Sequence, residues 1–140
     1  MSDPFQRFVE AQAPVWASVR AELEAGRKTS HWMWFVFPQL AALGRSPTAK
    51  HFGLESLEEA RAFLAHPLLG PRLRAATRLV NAIEGRSAFD IFGSPDDLKL
   101  RSSMTLFARA AGGDGGEFRE ALDRYYQGAE DPLTVGLLSG

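Results

Sequence analysis

Helix start and stop signals recur along the whole chain, and they constrain its fold more than any other feature. Capping residues, prolines and glycines punctuate the sequence about every 10–20 residues. Between them, apolar residues follow helical spacing, as in Leu73, Ala76, Val80 and Ile83, and no stretch alternates apolar with polar residues over the length of a typical strand. The sequence therefore predicts an all-α fold, a single compact domain over residues 1–140 with about six to nine helices of mixed length.

The clearest helix starts combine a capping residue with a favourable first turn. Asp3, followed by proline, predicts the cap of a first helix. Ser56 and Glu59 have the spacing of a capping box and predict a helix to about residue 65. The run Ser94–Asp97 supplies a cap, a proline and two acidic residues that favour the helix dipole, and it predicts a helix to about residue 110.

Two consecutive stretches are harder to assign. The aromatic segment, Trp32–Phe37, is too short and too uniformly apolar for its period to separate helix from strand. Because Pro38 disfavours the α conformation before it, we predict a helix, a break and a short helix over Gln39–Leu43, with a short β pair as the alternative. Arg45–Glu55 is predicted to be a long loop with one turn at Thr48–His51.

Charge and composition exclude several classes of function. Sixteen basic and seventeen acidic residues give a net charge of −1, which argues against nucleic-acid or membrane-surface partners. The absence of cysteine excludes disulfides and thiolate chemistry and fits a reducing cytoplasm. The chain has no metal-binding HExxH motif, no P-loop and no GxGxxG fingerprint, so neither a metal nor a cofactor is predicted.

Polar side chains bracket the aromatic segment and suggest a ligand pocket. Lys28 and His31 precede it and Gln39 follows it, while Trp32 and Trp34 could form the walls against a ligand ring. His31 is the candidate catalytic residue, because imidazole can act as an acid or base near neutral pH. The alternative is that the aromatic residues are only the core and that His31 caps a helix end.

A second candidate group lies on the helix that follows Ser94. Lys99, Ser102 and Ser103 share one face at helical spacing, and Arg101 is their neighbour. An amine beside two hydroxyls is suited to an anion such as phosphate. The alternative is a solvated or capping face without a ligand.

The sequence also resembles a bacterial family, the domain-of-unknown-function family numbered 1810. The shared runs include Gly26–Gln39 and Asp96–Phe107, and their most specific blocks are His31–Gln39 in the first run and the pattern D-K-SSMTLF in the second. The resemblance covers nearly the whole chain and extends to Asp131-Pro132. Other shared positions are Phe8–Gln12, Leu43–Ser46, Glu59-Ala60, His66-Pro67, Leu69-Gly70 and Arg72-Leu73. The resemblance implies a mainly helical fold and no known activity. Some members carry the label "calpastatin", but the eukaryotic calpain inhibitor of that name is a long disordered chain, whereas this composition is that of a folded domain.

Together these observations predict a cytoplasmic domain that binds or processes a small anionic, phosphate- or nucleotide-like ligand. The pocket would lie between His31–Gln39 and Lys99–Ser103, provided that helical packing brings the two segments together. The alternative is a non-catalytic protein-interaction module or a homodimerising structural domain. The sequence leaves open whether the chain is an enzyme.

Overall fold

A computed structural model describes residues 4–139, and within this range the chain forms ten α-helices and one 3-10 turn. The helices, in chain order, are α1 (Gln6–Gln12), α2 (Trp16–Glu24), α3 (Met33–Val36), α4 (Pro47–His51), α5 (Leu57–Ala65), α6 (Leu69–Ala82), α7 (Ala88–Phe92), α8 (Asp96–Ala111), α9 (Gly116–Tyr126) and α10 (Pro132–Ser139). The predicted all-α class is confirmed. The count exceeds the predicted range by one, because the turn predicted near Thr48 is the short helix α4. No helix in the described range is long and apolar enough to cross a bilayer.

Local capping chemistry explains where several helices begin. The Ser56 hydroxyl accepts a hydrogen bond from the Glu59 amide at 3.1 Å, as the sequence predicts for the start of α5. The Ser46 hydroxyl caps α4 in the same way. Helix α8 begins at Asp96 with the two predicted acidic residues in its first turn, but the predicted cap, Ser94, is wrong, because the N-cap position is Pro95 and no side chain caps the helix. The other predicted cap, Asp3, lies outside the described residues.

Helix α8 occupies the centre of the molecule. It packs against α5, α7, α9 and α10, while α6 packs against α2, α5 and α9. Seven consecutive α8 residues, 102–108, are buried. A helix that is buried on all sides in this way forms the middle of a core rather than one of its faces.

The aromatic segment passes through the core with the predicted break. Its one-turn helix α3 ends before Phe37, and the following helix is the 3-10 turn Ala41–Leu43. This second helix begins later than predicted because Leu54 pairs with the backbone on both sides of Leu40. The Gln39 carbonyl accepts from the Leu54 amide at 3.0 Å, and the Leu54 carbonyl accepts from Ala41 at 2.8 Å, forming an isolated parallel β-bridge.

Candidate functional site

The turn before the aromatic segment is built around the carboxylate of Glu22, at the end of α2. One carboxylate oxygen accepts hydrogen bonds from the amides of Thr29 (2.7 Å) and Ser30 (2.9 Å) and from the indole nitrogen of Trp32 (3.0 Å). The other oxygen accepts from the Ser30 hydroxyl. Burial acts to raise the pKa of Glu22, but these hydrogen bonds outweigh it and lower the pKa to about 2. Glu22 therefore stays ionised and fixes the path of the chain into the aromatic segment.

Two lysines far apart in the sequence share one carboxylate. Lys28 Nζ lies 2.8 Å from one oxygen of Asp96, and its side chain is only 7% exposed. Lys99 Nζ lies 3.7 Å from the other oxygen and is 26% exposed. We call these three residues the lysine cluster. With two cations and one anion, it has an excess positive charge at the N-terminal end of α8.

Each of these amines also lies over an indole ring. Lys28 Nζ is 5.1 Å from the ring centroid of Trp32, and Lys99 Nζ is 5.3 Å from that of Trp34. Trp32 is fully buried, whereas Trp34 is partly exposed. Only the Lys99–Trp34 pair is therefore accessible to a ligand.

Three of the predicted ligand-binding residues line the same cavity. They are Trp34, Gln39 and Lys99, and the remaining walls are Met33, Phe37, Ala49 and Phe52. The cavity is narrow: its volume of about 10 Å³ leaves room for one water molecule or one small group. In the described part of the chain, the Gln39 side-chain amide has no hydrogen-bond partner, so its donors and acceptor are available to a ligand.

Other predicted site residues lie elsewhere. Arg101 donates hydrogen bonds to the carbonyls of residues 129 and 130, at 2.9 and 2.8 Å, and Ser102 donates to the Asp131 carboxylate at 3.0 Å. These contacts hold the start of α10 against α8. Ser103 is fully buried, and its hydroxyl has no hydrogen-bond partner in residues 4–139. His31 is exposed and does not line the narrow cavity.

Three residues that organise this region, Asp96, Glu22 and Phe52, were not predicted to do so from the sequence. Asp96 was interpreted only as part of the first turn of its helix, although its spacing to Lys99 also permits an i,i+3 ion pair. Glu22 lies on the polar side of an amphipathic helix and gives no local signal of its role. Phe52 was missed because the stretch from Arg45 to Glu55 has no helical period. Within residues 4–139, no group of three or more histidine and carboxylate side chains could hold a metal ion.

The fold and the cavity define a small all-helical domain with a lysine–aromatic site beside its central helix. The chain belongs to the family described as "protein of unknown function (DUF1810)", whose model matches residues 2–138. A similar solved structure is the crystal structure of the conserved hypothetical protein Rv1873 from Mycobacterium tuberculosis, determined at 1.38 Å. It is 60% identical to this chain, covers 99% of both chains and has a TM-score of 0.96. A comparison with proteins of curated function found no match.

Proposed function

We propose that this protein binds a small anionic ligand at the narrow cavity beside α8, with Lys99 as the group that holds the negative charge. The supporting observation is the asymmetry of the lysine cluster. Asp96 is 2.8 Å from the buried Lys28 but 3.7 Å from the more exposed Lys99. Lys28 therefore satisfies the aspartate, and the Lys99 amine can turn to an incoming anion at low cost.

The other cavity residues indicate what kind of ligand fits. The partly exposed Trp34 ring offers a stacking surface for a heterocycle, and the Gln39 amide offers a donor and an acceptor. The cavity admits only one small group, so the body of the ligand would lie across its mouth, over Trp34 and Lys99. A nucleotide or another phosphorylated ring compound has the required charge and flat surface. His31, exposed just before the aromatic segment, stays the candidate acid–base group if the bound ligand is also processed in the cytoplasm.

A panel of nucleotides and sugar phosphates, screened by thermal shift, tests the proposal. A ligand at 100 times its Kd adds about 2.7 kcal/mol to the free energy of unfolding, which raises Tm measurably. Each stabilising compound is then titrated by calorimetry against the wild type, Lys99→Met and the control Lys50→Met. Lys50 is exposed on α4, and no ion pair involves it within residues 4–139.

We expect Lys99→Met to weaken binding about tenfold or more and Lys50→Met to leave it unchanged, because hydrogen bonds to charged groups are worth about 1.5–3 kcal/mol. His31→Ala should leave ligand affinity unchanged and abolish turnover only if a reaction occurs. If no phosphorylated compound in the panel shifts Tm, or if Lys99→Met and Lys50→Met bind equally well, the proposal is wrong.

A second candidate function is homodimerisation through α10. Leu133 and Leu137 lie one turn apart on this helix and are 66% and 46% exposed. Two exposed leucines on one helix face suit an apolar partner surface. Light scattering after gel filtration tests this candidate: a dimer that Leu133→Gln converts to monomer supports it, and a wild-type monomer across the concentration series contradicts it.

A further inference from the structure

A second cavity, formed by the segment that follows α6 and the end of α9, carries two arginines and no acidic side chain. Its volume is about 420 Å³, within the range of small-ligand sites. The lining residues are Ile83, Gly85, Arg86, Arg124 and Tyr125. We call it the arginine cavity. It contains none of the residues of the narrow cavity described above.

Each of the two arginines contacts a neighbouring part of the chain beside the arginine cavity. Arg124 donates one hydrogen bond to the Ile83 carbonyl at 3.1 Å and also interacts with the Tyr125 hydroxyl, and the guanidinium has further N–H donors for a ligand. Arg86 runs along Gly26, where an added Cβ would lie 3.5 Å from the Cδ and Nε atoms of the arginine. Gly26 has a φ of +79°, a backbone conformation that favours glycine, and an added Cβ there would be in ordinary van der Waals contact with Arg86.

Neither arginine is neutralised by the protein itself. In residues 4–139, no carboxylate forms an ion pair with Arg86 or Arg124, and none lines the arginine cavity. A third cavity of about 410 Å³ provides the contrast. There, Arg109 and Arg119 are paired with Glu130 at 2.8 and 3.5 Å. The arginine cavity therefore keeps its excess of positive charge available.

The remaining walls favour an organic anion with a flat apolar part. The Tyr125 hydroxyl is already used, since it donates to the carbonyls of residues 80 and 83, so Tyr125 presents its ring rather than a free hydroxyl. Burial raises the pKa of Tyr125, and Arg124 acts in the opposite direction, so the phenol stays neutral at physiological pH. A Cβ on Gly85 would meet no atom within 4 Å, which leaves this side of the cavity open for entry.

We propose that the arginine cavity is a second ligand site, selective for phosphate monoesters, in which Arg86 and Arg124 bind the phosphate and Tyr125 contacts the organic group. A guanidinium offers parallel N–H donors that match the oxygens of phosphate, and two guanidinium groups match a dianion. The site is independent of the ligand proposed for Lys99.

Phenyl phosphate is the probe for this site, because it combines a dianion with one ring. Titration of the 15N-labelled protein, followed by amide chemical shifts, should give saturable shifts at Gly85, Arg86 and Tyr125 with a Kd in the millimolar range or tighter. Inorganic phosphate should shift the same amides with lower affinity, and neutral phenol should bind more weakly than both.

Substitutions then assign the recognition to the two arginines. We expect Arg86→Met and Arg124→Met each to weaken phenyl phosphate binding about tenfold, and Arg86→Lys to fall between Arg86→Met and the wild type. Arg45→Met is the matched control, since Arg45 is exposed and, in the described chain, has no ion pair and lies in another region. Lys99→Met should leave these shifts unchanged, which separates this site from the narrow cavity. Amide spectra of each variant verify its fold.

Several results would overturn the proposal. They are the absence of saturable shifts at Gly85 and Arg86, equal affinity for phenol and phenyl phosphate, and binding that survives both Arg86→Met and Arg124→Met in folded variants.

Discussion

At the scale of single residues, the Glu22 carboxylate connects the end of α2 with the turn that leads into the aromatic segment. Its partners are two backbone amides, one hydroxyl and one indole. All four donate to the ionised form, so protonation weakens every one of these contacts at the same time. The pKa of Glu22 in the folded protein, about 2, is below its ordinary value of 4.5, so the ionised group stabilises the fold above pH 4.5.

We therefore expect Glu22→Gln to reduce the free energy of unfolding at pH 7 by about 1–3 kcal/mol, the usual value of hydrogen bonds to a charged group. The difference between Glu22→Gln and the wild type should shrink as pH falls from about 4.5 towards 2, where the wild-type carboxylate also becomes neutral. Denaturant unfolding at several pH values measures it. The control is Glu24→Gln, whose surface pair with Arg20 at 3.6 Å should contribute less than 1 kcal/mol. A difference that is constant across this pH range would contradict the assignment.

The polar side chain of Ser103 has no hydrogen-bonding role in the described part of the chain. Ser103 is fully buried on α8, and its hydroxyl is without a hydrogen-bond partner there. We expect Ser103→Ala to leave stability unchanged or to raise it by up to about 1 kcal/mol, since an unpaired buried hydroxyl is unfavourable. Thr105→Val is the comparison. It removes hydrogen bonds to the Arg101 carbonyl (2.8 Å) and from the Asp131 amide (2.9 Å), and should cost about 1–2 kcal/mol. Chemical denaturation measures the free energy of unfolding of both variants. An equal loss of stability in Ser103→Ala and Thr105→Val would mean that the Ser103 hydroxyl has a hydrogen-bond partner.

At the scale of secondary-structure elements, the junction of α5 and α6 depends on Gly70. A Cβ at this position would lie 2.0 Å from the Leu64 carbonyl oxygen, a backbone atom that cannot move aside cheaply. Glycine here allows α6 to begin directly against the end of α5. Intrinsic helix propensity alone would favour alanine over glycine at this position, but the close approach of the Leu64 carbonyl requires glycine.

Two glycine substitutions in helices should consequently have opposite effects. Gly70→Ala should destabilise the protein by about 1–3 kcal/mol through overpacking. Gly136→Ala, in α10, should stabilise it by up to about 1 kcal/mol, because a Cβ there meets no atom within 4 Å. Tm and denaturant midpoints measure both, and a stabilising Gly70→Ala would show that α5 and α6 are not in such close contact.

Sequence signals predict those elements whose start is determined locally. Ser56 and the acidic pair after Pro95 specify the beginnings of α5 and α8 from a few neighbouring residues. The 3-10 turn was not predicted at its observed position because it depends on distant pairing, whereas α4 has a local start signal, Ser46 followed by Pro47, and was predicted only as a turn. Gly53 packs on Ala41 so closely that a Cβ would lie 2.3 Å from its Cα, and Leu54 bonds to the same segment. The helical spacing of apolar residues does not predict contacts of this kind.

At the scale of the whole molecule, a network of phenylalanine rings ties early helices to the central one. Phe63 of α5 lies 5.6 Å from the ring of Phe5, 5.1 Å from Phe8 and 5.6 Å from Phe107 of α8. Phe107 in turn lies 5.8 Å from Phe118 of α9. Such ring pairs add to the free energy of simple burial, so the network couples the N-terminal helices to α8 and α9.

We expect Phe63→Ala to cost about 3–5 kcal/mol, which is a large share of the total stability of a domain of this size. Unfolding of Phe63→Ala should remain a single transition, with the same midpoint by fluorescence and circular dichroism. Because Phe63 contacts both the N-terminal rings and α8, its loss destabilises both parts together. Phe89→Ala is the control: Phe89 is 60% exposed, and its removal should change stability by less than about 0.5 kcal/mol. Two separate transitions in Phe63→Ala would contradict the proposed coupling.

The candidate site illustrates the same limit of sequence reasoning at this scale. Chemistry alone selected Trp34, Gln39 and Lys99, and these three residues do line one cavity. Periodicity also placed Ser102 on the face of Lys99, yet Ser102 bonds to Asp131 instead. The hydrogen bond of Ser102 depends on how α10 docks against α8, and no local sequence pattern predicts that docking.

The lysine cluster has a consequence for how this family can change over time. Lys28 is nearly excluded from solvent, and Asp96 is its carboxylate partner at 2.8 Å. Loss of Asp96 alone would leave the Lys28 charge unpaired in a protein interior, which typically costs about 3–5 kcal/mol, and loss of Lys28 alone would leave Asp96 with only the more distant Lys99. Lineages should therefore lose or exchange Lys28 and Asp96 together, while Lys99 is free to vary with the ligand. Among related sequences, we therefore expect substitutions at positions 28 and 96 to occur together and to be independent of substitutions at position 99.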